Sequence, residues 1–259
     1  MEIKNCIVKT TIAPLYLGPS FKSELVTQAL IWEYLVILEK KRNWYKVKQW
    51  DKYISWIHNS YISKSNIYNN NNNKWYYLNK SISKNNLLLS FGSTLPVINK
   101  NNNGFYELLL PDLRRIKLNK KHLTNCNDIL SNKDILKYAK NLIGTPYLWG
   151  GKSSFGYDCS GFIQSLLRLK GIKFPRDCSE QINSNLIEKT KSKKSTLGDL
   201  IYFKENNIVN HVAMFINKNE FIHASGQVKI NSIDKKNKYY CSKLSKLNCN
   251  VYRFNKTKI

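Results

Sequence analysis

GYDCSGFIQSLL, residues 156–167, places Cys159 directly after an acid and just ahead of an apolar series. Phe162, Ile163, Leu166 and Leu167 recur at helical spacing, and Gly171 supplies a stop signal, so the stretch predicts a helix beginning at or beside Cys159. A helix start offers a thiolate unpaired N–H groups and the positive end of the helix dipole, which favours ionisation. A cysteine at a helix start reads equally well, by itself, as a small buried apolar residue. The surrounding sequence must decide between the two.

A nucleophilic cysteine needs a base within reach. Of the four histidines, His58 and His122 lie in the β-rich first half, while His211 and His223 lie in the strand-like segments HVAMFI (211–216) and EFIHAS (220–225). A hairpin across 217–219 would bring these two imidazoles together, with His211 as the base and His223 holding its other ring nitrogen. Each histidine alone also fits a satisfied structural role. Upstream, SNKDILKYAKNLIGTPY (131–147) carries a Ser131/Asp134 capping box, Ile135, Ala139 and Leu142 at helical spacing, and Gly144 as the stop. GDLIYF (198–203) and NVYRF (250–254) add two more strands. Helices first and an antiparallel sheet afterwards make an α+β pattern.

Residues 33–62 (EYLVILEKKRNWYKVKQWDKYISWIHNSYI) have an echo in 93–123 (STLPVINKNNNGFYELLLPDLRRIKLNKKHL). Both run from an apolar strand through a polar turn to an aromatic pair, Trp44-Tyr45 or Phe105-Tyr106, and on to a short strand at Ile54 or Ile116. The repeat predicts two small β-barrels of about 60 residues each. Domain boundaries are placed at 1–64, 65–125 and 126–259, with the low-complexity run from Asn69 to Lys74 as a loop or linker.

At 259 residues the chain is long enough for two or three small domains, and no segment reaches the roughly 18 apolar residues of a membrane span. The start, MEIKNCIVKTTIAPLYLG, has an acid at Glu2 and no continuous apolar core, so it does not read as a secretory signal, and a cytoplasmic protein without membrane insertion is expected. The six cysteines are scattered without a CxxC pair, which argues against both a zinc knuckle and a disulfide framework, and no metal or cofactor is expected. A net charge of +25 invites a nucleic-acid reading. The lysines are spread along the whole chain, however, beside an excess of Asn, Ile and Tyr that matches the bias of an AT-rich genome. No specific nucleic-acid partner is therefore expected, and the chain is expected to act as a monomer.

The elements GTPYLWGG (144–151), DCSGF (158–162), GDL (198–200), His211-Val212 and His223-Ala-Ser (223–225) resemble, in order and spacing, the NlpC/p60 cell-wall cysteine peptidases over residues 130–254. That resemblance implies a papain-like α+β fold and puts nucleophile, base and third polar residue on Cys159, His211 and His223. The first half resembles the bacterial SH3-like modules often fused to this domain. One subfamily carries two of them and cleaves the bond between γ-D-glutamate and the diamino acid in cell-wall peptides with a free N-terminal L-alanine. TQALIWE (27–33) is similar to that subfamily's stretch ending in Gly-Glu, with Trp32 in place of the glycine, and implies Glu33 as an acid facing the active site; RDCSEQ (176–181) resembles its Arg-Asp-x-Ser element.

A free ammonium group needs carboxylates. Glu33, Asp158 and Asp177, with hydroxyls from Ser160, Ser179 and Tyr53, are the expected enclosure, and Arg176 is expected to fork onto a substrate carboxylate. Each has a plainer alternative: Asp158 as the cap of its helix, Asp177 and Ser179 as caps of the next, Glu33 as a solvated side chain. For the oxyanion, the Cys159 N–H and the Tyr147 hydroxyl are the expected donors. Three other readings stay open at this point: an endopeptidase for intact peptidoglycan, a wall-binding protein with a relic site, and a nucleic-acid binder with a steep salt dependence.

Overall fold

Alternation of apolar and polar residues builds the first half of the chain strand by strand. In β1 (Asn5–Val8) and β2 (Ile12–Tyr16) every second residue is buried, the period a half-covered sheet demands. The structure, a computed structural model, describes residues 5–64, 74–84, 86–190, 195–255 and 257–258. Residues 69–73 of the expected loop or linker lie outside them, and its last residue, Lys74, is already in a strand. The chain divides into two compact units, 1–129 with 152–154 and 130–151 with 155–259.

In the first unit, β1 and β2 join β3 (Leu25–Leu30), β4 (Tyr34–Lys41), β5 (Trp44–Lys48), β6 (Ile54–His58) and β7 (Ile62–Lys64) in one sheet ordered β3-β2-β6-β5-β4-β1-β7. Val8, Ala13, Leu15, Leu35, Val47 and Ile57 close its core without exposed surface. A second sheet, ordered β13-β12-β11-β8-β14, holds β8 (Lys74–Leu78), β11 (Thr94–Lys100), β12 (Phe105–Leu109), β13 (Arg115–Asn119) and β14 (Leu123–Asn125). β9 (Ile82–Lys84) and β10 (Leu87–Leu89) form a separate hairpin.

The two sheets repeat their turns. Glu33 N–H bonds to Leu30 O with Trp32 at φ +66°, and Ser93 N–H bonds to Ser90 O with Gly92 at φ +79°. Lys52 N–H bonds to Gln49 O, and Leu113 N–H to Leu110 O, here with the donor itself, the fourth residue, at positive φ. Positive φ at the third residue of a turn favours glycine, and a large side chain there costs about 1–2 kcal/mol. Trp32 accepts that cost and offsets it by burial. Its indole N–H donates to Leu109 O at 2.9 Å, and its ring meets Trp75 edge-on.

The second unit opens with α1 (Asn132–Lys140), capped by the expected box: Ser131 Oγ accepts from Asp134 N–H and the Asp134 carboxylate accepts from Ser131 N–H. The helix stops before the expected Gly144, because from Asn141 the backbone tightens into bonds to the third residue back. α2 (Cys159–Leu169) ends as expected at Gly171, whose φ of +74° lets Ile172 N–H reach Leu167 O. The rest is α3 (Cys178–Ile182), α4 (Ser242–Ser245) and an antiparallel sheet of β15 (Ile187–Lys189), β16 (Leu200–Glu205), β17 (Ile208–Phe215), β18 (Phe221–Ser225), β19 (Gln227–Asn231) and β20 (Asn248–Phe254). Its order is β15-β20-β16-β17-β18-β19. This is the α+β arrangement the sequence order implied. No helix among the described residues is long and apolar enough to cross a membrane.

α2 is buried nearly all round and packs against β17 and β18, so its first turn is held with little freedom. Gly161 permits that approach. A Cβ there would overlap the Gly151 carbonyl oxygen and come within 2.9 Å of Asp158 Oδ1. Alanine would gain about 1 kcal/mol of helix propensity over glycine, but overpacking a rigid backbone costs about 1–3 kcal/mol, so the clash wins. Gly161→Ala is therefore expected to destabilise the second unit, read as a lower urea midpoint; an unchanged midpoint would show that the loop at Gly151 yields.

Candidate active site

Asp158 is the N-cap of α2, and its side chain accepts from Gly161 N–H at 2.6 Å. Cys159 is thus the first helical residue, where N–H groups lack partners within the helix. Facing it, β17 and β18 form the expected hairpin, with Met214 opposite Ile222 and Phe215 opposite Phe221. His211 and His223 project from these two strands, their ring nitrogens Nε2 and Nδ1 2.6 Å apart.

A third group completes the line. His223 Nε2 lies 2.9 Å from Asn231 Oδ1, and Asn231 Nδ2 donates to Tyr239 O, which fixes the amide orientation. Since Oδ1 only accepts, His223 carries its hydrogen on Nε2 and accepts through Nδ1 from His211 Nε2. The remaining His211 nitrogen, Nδ1, is left to exchange a proton with the thiol. Burial, reinforced by the charge of His211, pushes His223 down to about 3, so it stays neutral and orients rather than charges.

The Cys159 thiol is held well below its ordinary range, chiefly by a hydrogen bond from Cys178; burial opposes this, and the hydrogen bond and positive charge of His211 assist it. The two sulfurs are 3.6 Å apart, and Cys159 Sγ lies 3.9 Å from Asn210 O. Burial and the neighbouring Cys159 charge push the Tyr147 hydroxyl up to about 12, so it remains a donor at neutral pH. Tyr147 is placed by its N–H to Gly226 O and its bridge to Tyr157, two residues before the cysteine.

Arg176 departs from expectation. The residue is 2% exposed, and its guanidinium forks onto both Asp158 oxygens while also donating to Ser160 Oγ at 3.0 Å. The fork expected for a substrate carboxylate is spent inside the protein, because a buried guanidinium needs a buried anion. Asp158 serves as the helix cap, the plainer of its two readings, and Ser160 donates to the same carboxylate. Asp177 precedes α3 without a side-chain capping bond, and Ser179 is exposed. Glu33, in the first unit, is buried rather than solvated: Gln49 and Trp50 donate to its carboxylate at 3.1 and 3.2 Å, and Lys152 Nζ lies 3.7 Å away. Tyr53 lies half-buried in the turn between β5 and β6. Among the described residues no three His, Cys, Asp or Glu side chains cluster as metal ligands.

Sequence reasoning missed Asn231 and Cys178. Asn231 sits diagonally from His223 across the β18/β19 pair, where His223 faces Lys229, and only the register reveals it. Asn231→Ala is expected to lower kcat roughly tenfold to a hundredfold, less than the ~10⁴ of a triad histidine in the wrong tautomer. Asn231→Asp, which keeps the acceptor, is expected to restore most of it; equal losses in both variants would assign Asn231 a packing role.

Residues 144–247 match the NlpC/P60 family model, and residues 15–62 match the model of the bacterial dipeptidyl-peptidase Sh3 domain. The chain is 29% identical over 229 residues to a gamma-D-glutamyl-L-lysine dipeptidyl-peptidase of Bacillus cereus, covering 78% of this chain and 68% of that protein. It is 35% identical to a probable endopeptidase NlpC homolog of Haemophilus influenzae, over 51% of this chain and 72% of the relative. A crystal structure of an NlpC/P60 family protein from Bacillus cereus superposes with a TM-score of 0.83 at 22% identity, covering 96% of this chain and 99% of that one.

Proposed function

From the premise that the chain belongs to the NlpC/P60 family of cell-wall cysteine peptidases and carries an SH3-like domain in its first half, we propose that it hydrolyses the bond between γ-D-glutamate and the diamino acid of cell-wall peptides. The observation that carries this reading is the unbroken line Cys159, His211, His223, Asn231. The Cys159 thiolate attacks the γ-carbonyl. Oxyanion charge develops toward the Cys159 N–H at the helix start and the Tyr147 hydroxyl. His211 gives its Nδ1 proton to the departing amine of the diamino acid, then takes one from the water that hydrolyses the thioester. The domain boundaries 1–64, 65–125 and 126–259, with the second segment as a repeat of the SH3-like module, belong to the same proposal and are supported by the repeated turns. Soluble peptide fragments in the cytoplasm are the proposed substrates, with L-alanine at their free N-terminus.

A specific observation favours a second reading of that last point. A substrate ammonium requires unpaired carboxylates, yet Glu33 already faces the Lys152 ammonium and Asp158 the Arg176 guanidinium. Both acids are charge-compensated from within, so a substrate with a blocked amine loses little. The second reading is an endopeptidase that accepts N-substituted peptides, including those of intact peptidoglycan.

Mass spectrometry of L-Ala-γ-D-Glu-diamino-acid tripeptide, its N-acetyl analogue and intact sacculi separates these. Release of L-Ala-D-Glu from the free tripeptide alone supports the amine-dependent reading, and cleavage of both peptides or of sacculi supports the second. Cleavage of none would overturn the peptidase assignment and leave a wall-binding role.

A further inference from the structure

Cys178 takes no part in the proton relay, yet its sulfur is 3.6 Å from that of Cys159. Two staples on either side hold it there. Arg176 ties residues just before it to Asp158 and Ser160, and Gln181 Nε2 just after it donates to Ser160 O at 3.2 Å and Pro175 O at 2.9 Å. The two cysteines lead α2 and α3 and point at one another from anchored backbones. A disulfide places its sulfurs about 2.05 Å apart, so closure needs the two sulfurs to approach by roughly 1.5 Å.

We propose that Cys178 is the resolving thiol of a redox pair, a modification site at which a hydroperoxide converts Cys159 and Cys178 into a disulfide and reversibly stops the peptidase. The inference rests on the reading of Cys159 as nucleophile. In the first step the Cys159 thiolate attacks a peroxide oxygen: an S–O bond forms, the O–O bond breaks, sulfur loses two electrons and the leaving hydroxide takes a proton to become water. In the second, Cys178 sulfur attacks the sulfenic sulfur: the S–S bond forms, the S–O bond breaks, and the departing hydroxide combines with the Cys178 proton as a second water. Two thiols and one hydrogen peroxide thus give one disulfide and two waters.

Electrostatics order the steps. While Cys159 is a thiolate, its hydrogen bond, burial and its charge hold Cys178 protonated, well above the ordinary range. The sulfenic acid is neutral, so the part of that restraint due to the Cys159 thiolate ends once Cys159 is oxidised, while burial persists. Burial alone pushes Cys6 to about 12 and raises Cys249, which disfavours oxidation at these two relative to Cys159. Without a neighbouring thiol the sulfenic acid is oxidised by a second hydroperoxide to the sulfinic acid, releasing water, and dithiols do not reverse that step.

The test treats the reduced full-length chain with one equivalent of hydrogen peroxide and reads it by non-reducing peptide mapping, with peptidase activity before and after dithiothreitol. The expected result is a mass loss of about 2 Da, one cross-linked peptide pair containing Cys159 and Cys178, and activity lost and then restored. Cys178→Ser, treated with excess hydrogen peroxide because each sulfinic acid consumes two, is expected to give sulfinic Cys159 and a loss that dithiothreitol does not restore. Sulfinic Cys159 beside a free Cys178 thiol in the wild-type chain would overturn the proposal. Because the cross-link is read by mass, it stands or falls even if the reduced protein cleaves none of the peptides, a result that counts against the proposed function instead.

Discussion

Cys159→Ala is expected to lower kcat on a γ-D-glutamyl tripeptide by at least about 10⁴-fold while leaving the melting of the protein close to wild type. The side chain is small, so its removal leaves little cavity; what disappears is the only group the line of imidazoles serves. Its ionisation also shapes the rate profile. The thiolate is the reactive form, and hydrogen bonding from Cys178, with help from His211, keeps it well below the usual thiol range. Activity therefore persists to pH values at which an ordinary thiol is protonated, and falls as pH drops through the depressed value. In Cys178→Ala that acid limb is expected to move upward. The measurement is kcat/KM against pH beside iodoacetamide labelling of Cys159; a limb that stays in place would remove Cys178 from the account of the thiolate.

The second large effect concerns stability. Arg176→Met leaves Asp158 buried without its cation, and breaking a buried pair by removing one partner costs about 3–5 kcal/mol. The pair's geometry supports a value in that range, because Arg176 forks onto both carboxylate oxygens and also binds Ser160. Asp158→Ala should cost at least as much, since it also removes the cap of α2, worth about 1 kcal/mol. The double variant, in which no charge is stranded, should recover a large part of the Arg176→Met loss. Amide exchange in α2 is the suitable readout, because two compact units need not unfold together. Two single losses that simply add in the double variant would mean that the pair is not coupled.

What the sequence determined by itself is local. Capping at Ser131 and Asp158, the stop at Gly171 and the apolar spacing of Phe162, Ile163, Leu166 and Leu167 are set by neighbours within a few residues. The same holds for the β repeat, whose turns require particular backbone angles at particular positions, and for the pairing of His211 with His223, which a hairpin of adjacent strands brings about. The partners of buried charges were decided only in three dimensions. Arg176 and Asp158 lie far apart in sequence, as do Lys152 and Glu33, and each acid looked free for a substrate ammonium until its internal cation was located. Asn231 and Cys178 were hidden for the same reason: the first depends on strand register, the second on where α3 is stapled to the start of α2. Short-range geometry follows from propensity and periodicity, whereas the compensation of a buried charge depends on whichever opposite charge the tertiary fold brings within a few ångströms, and no local rule specifies it.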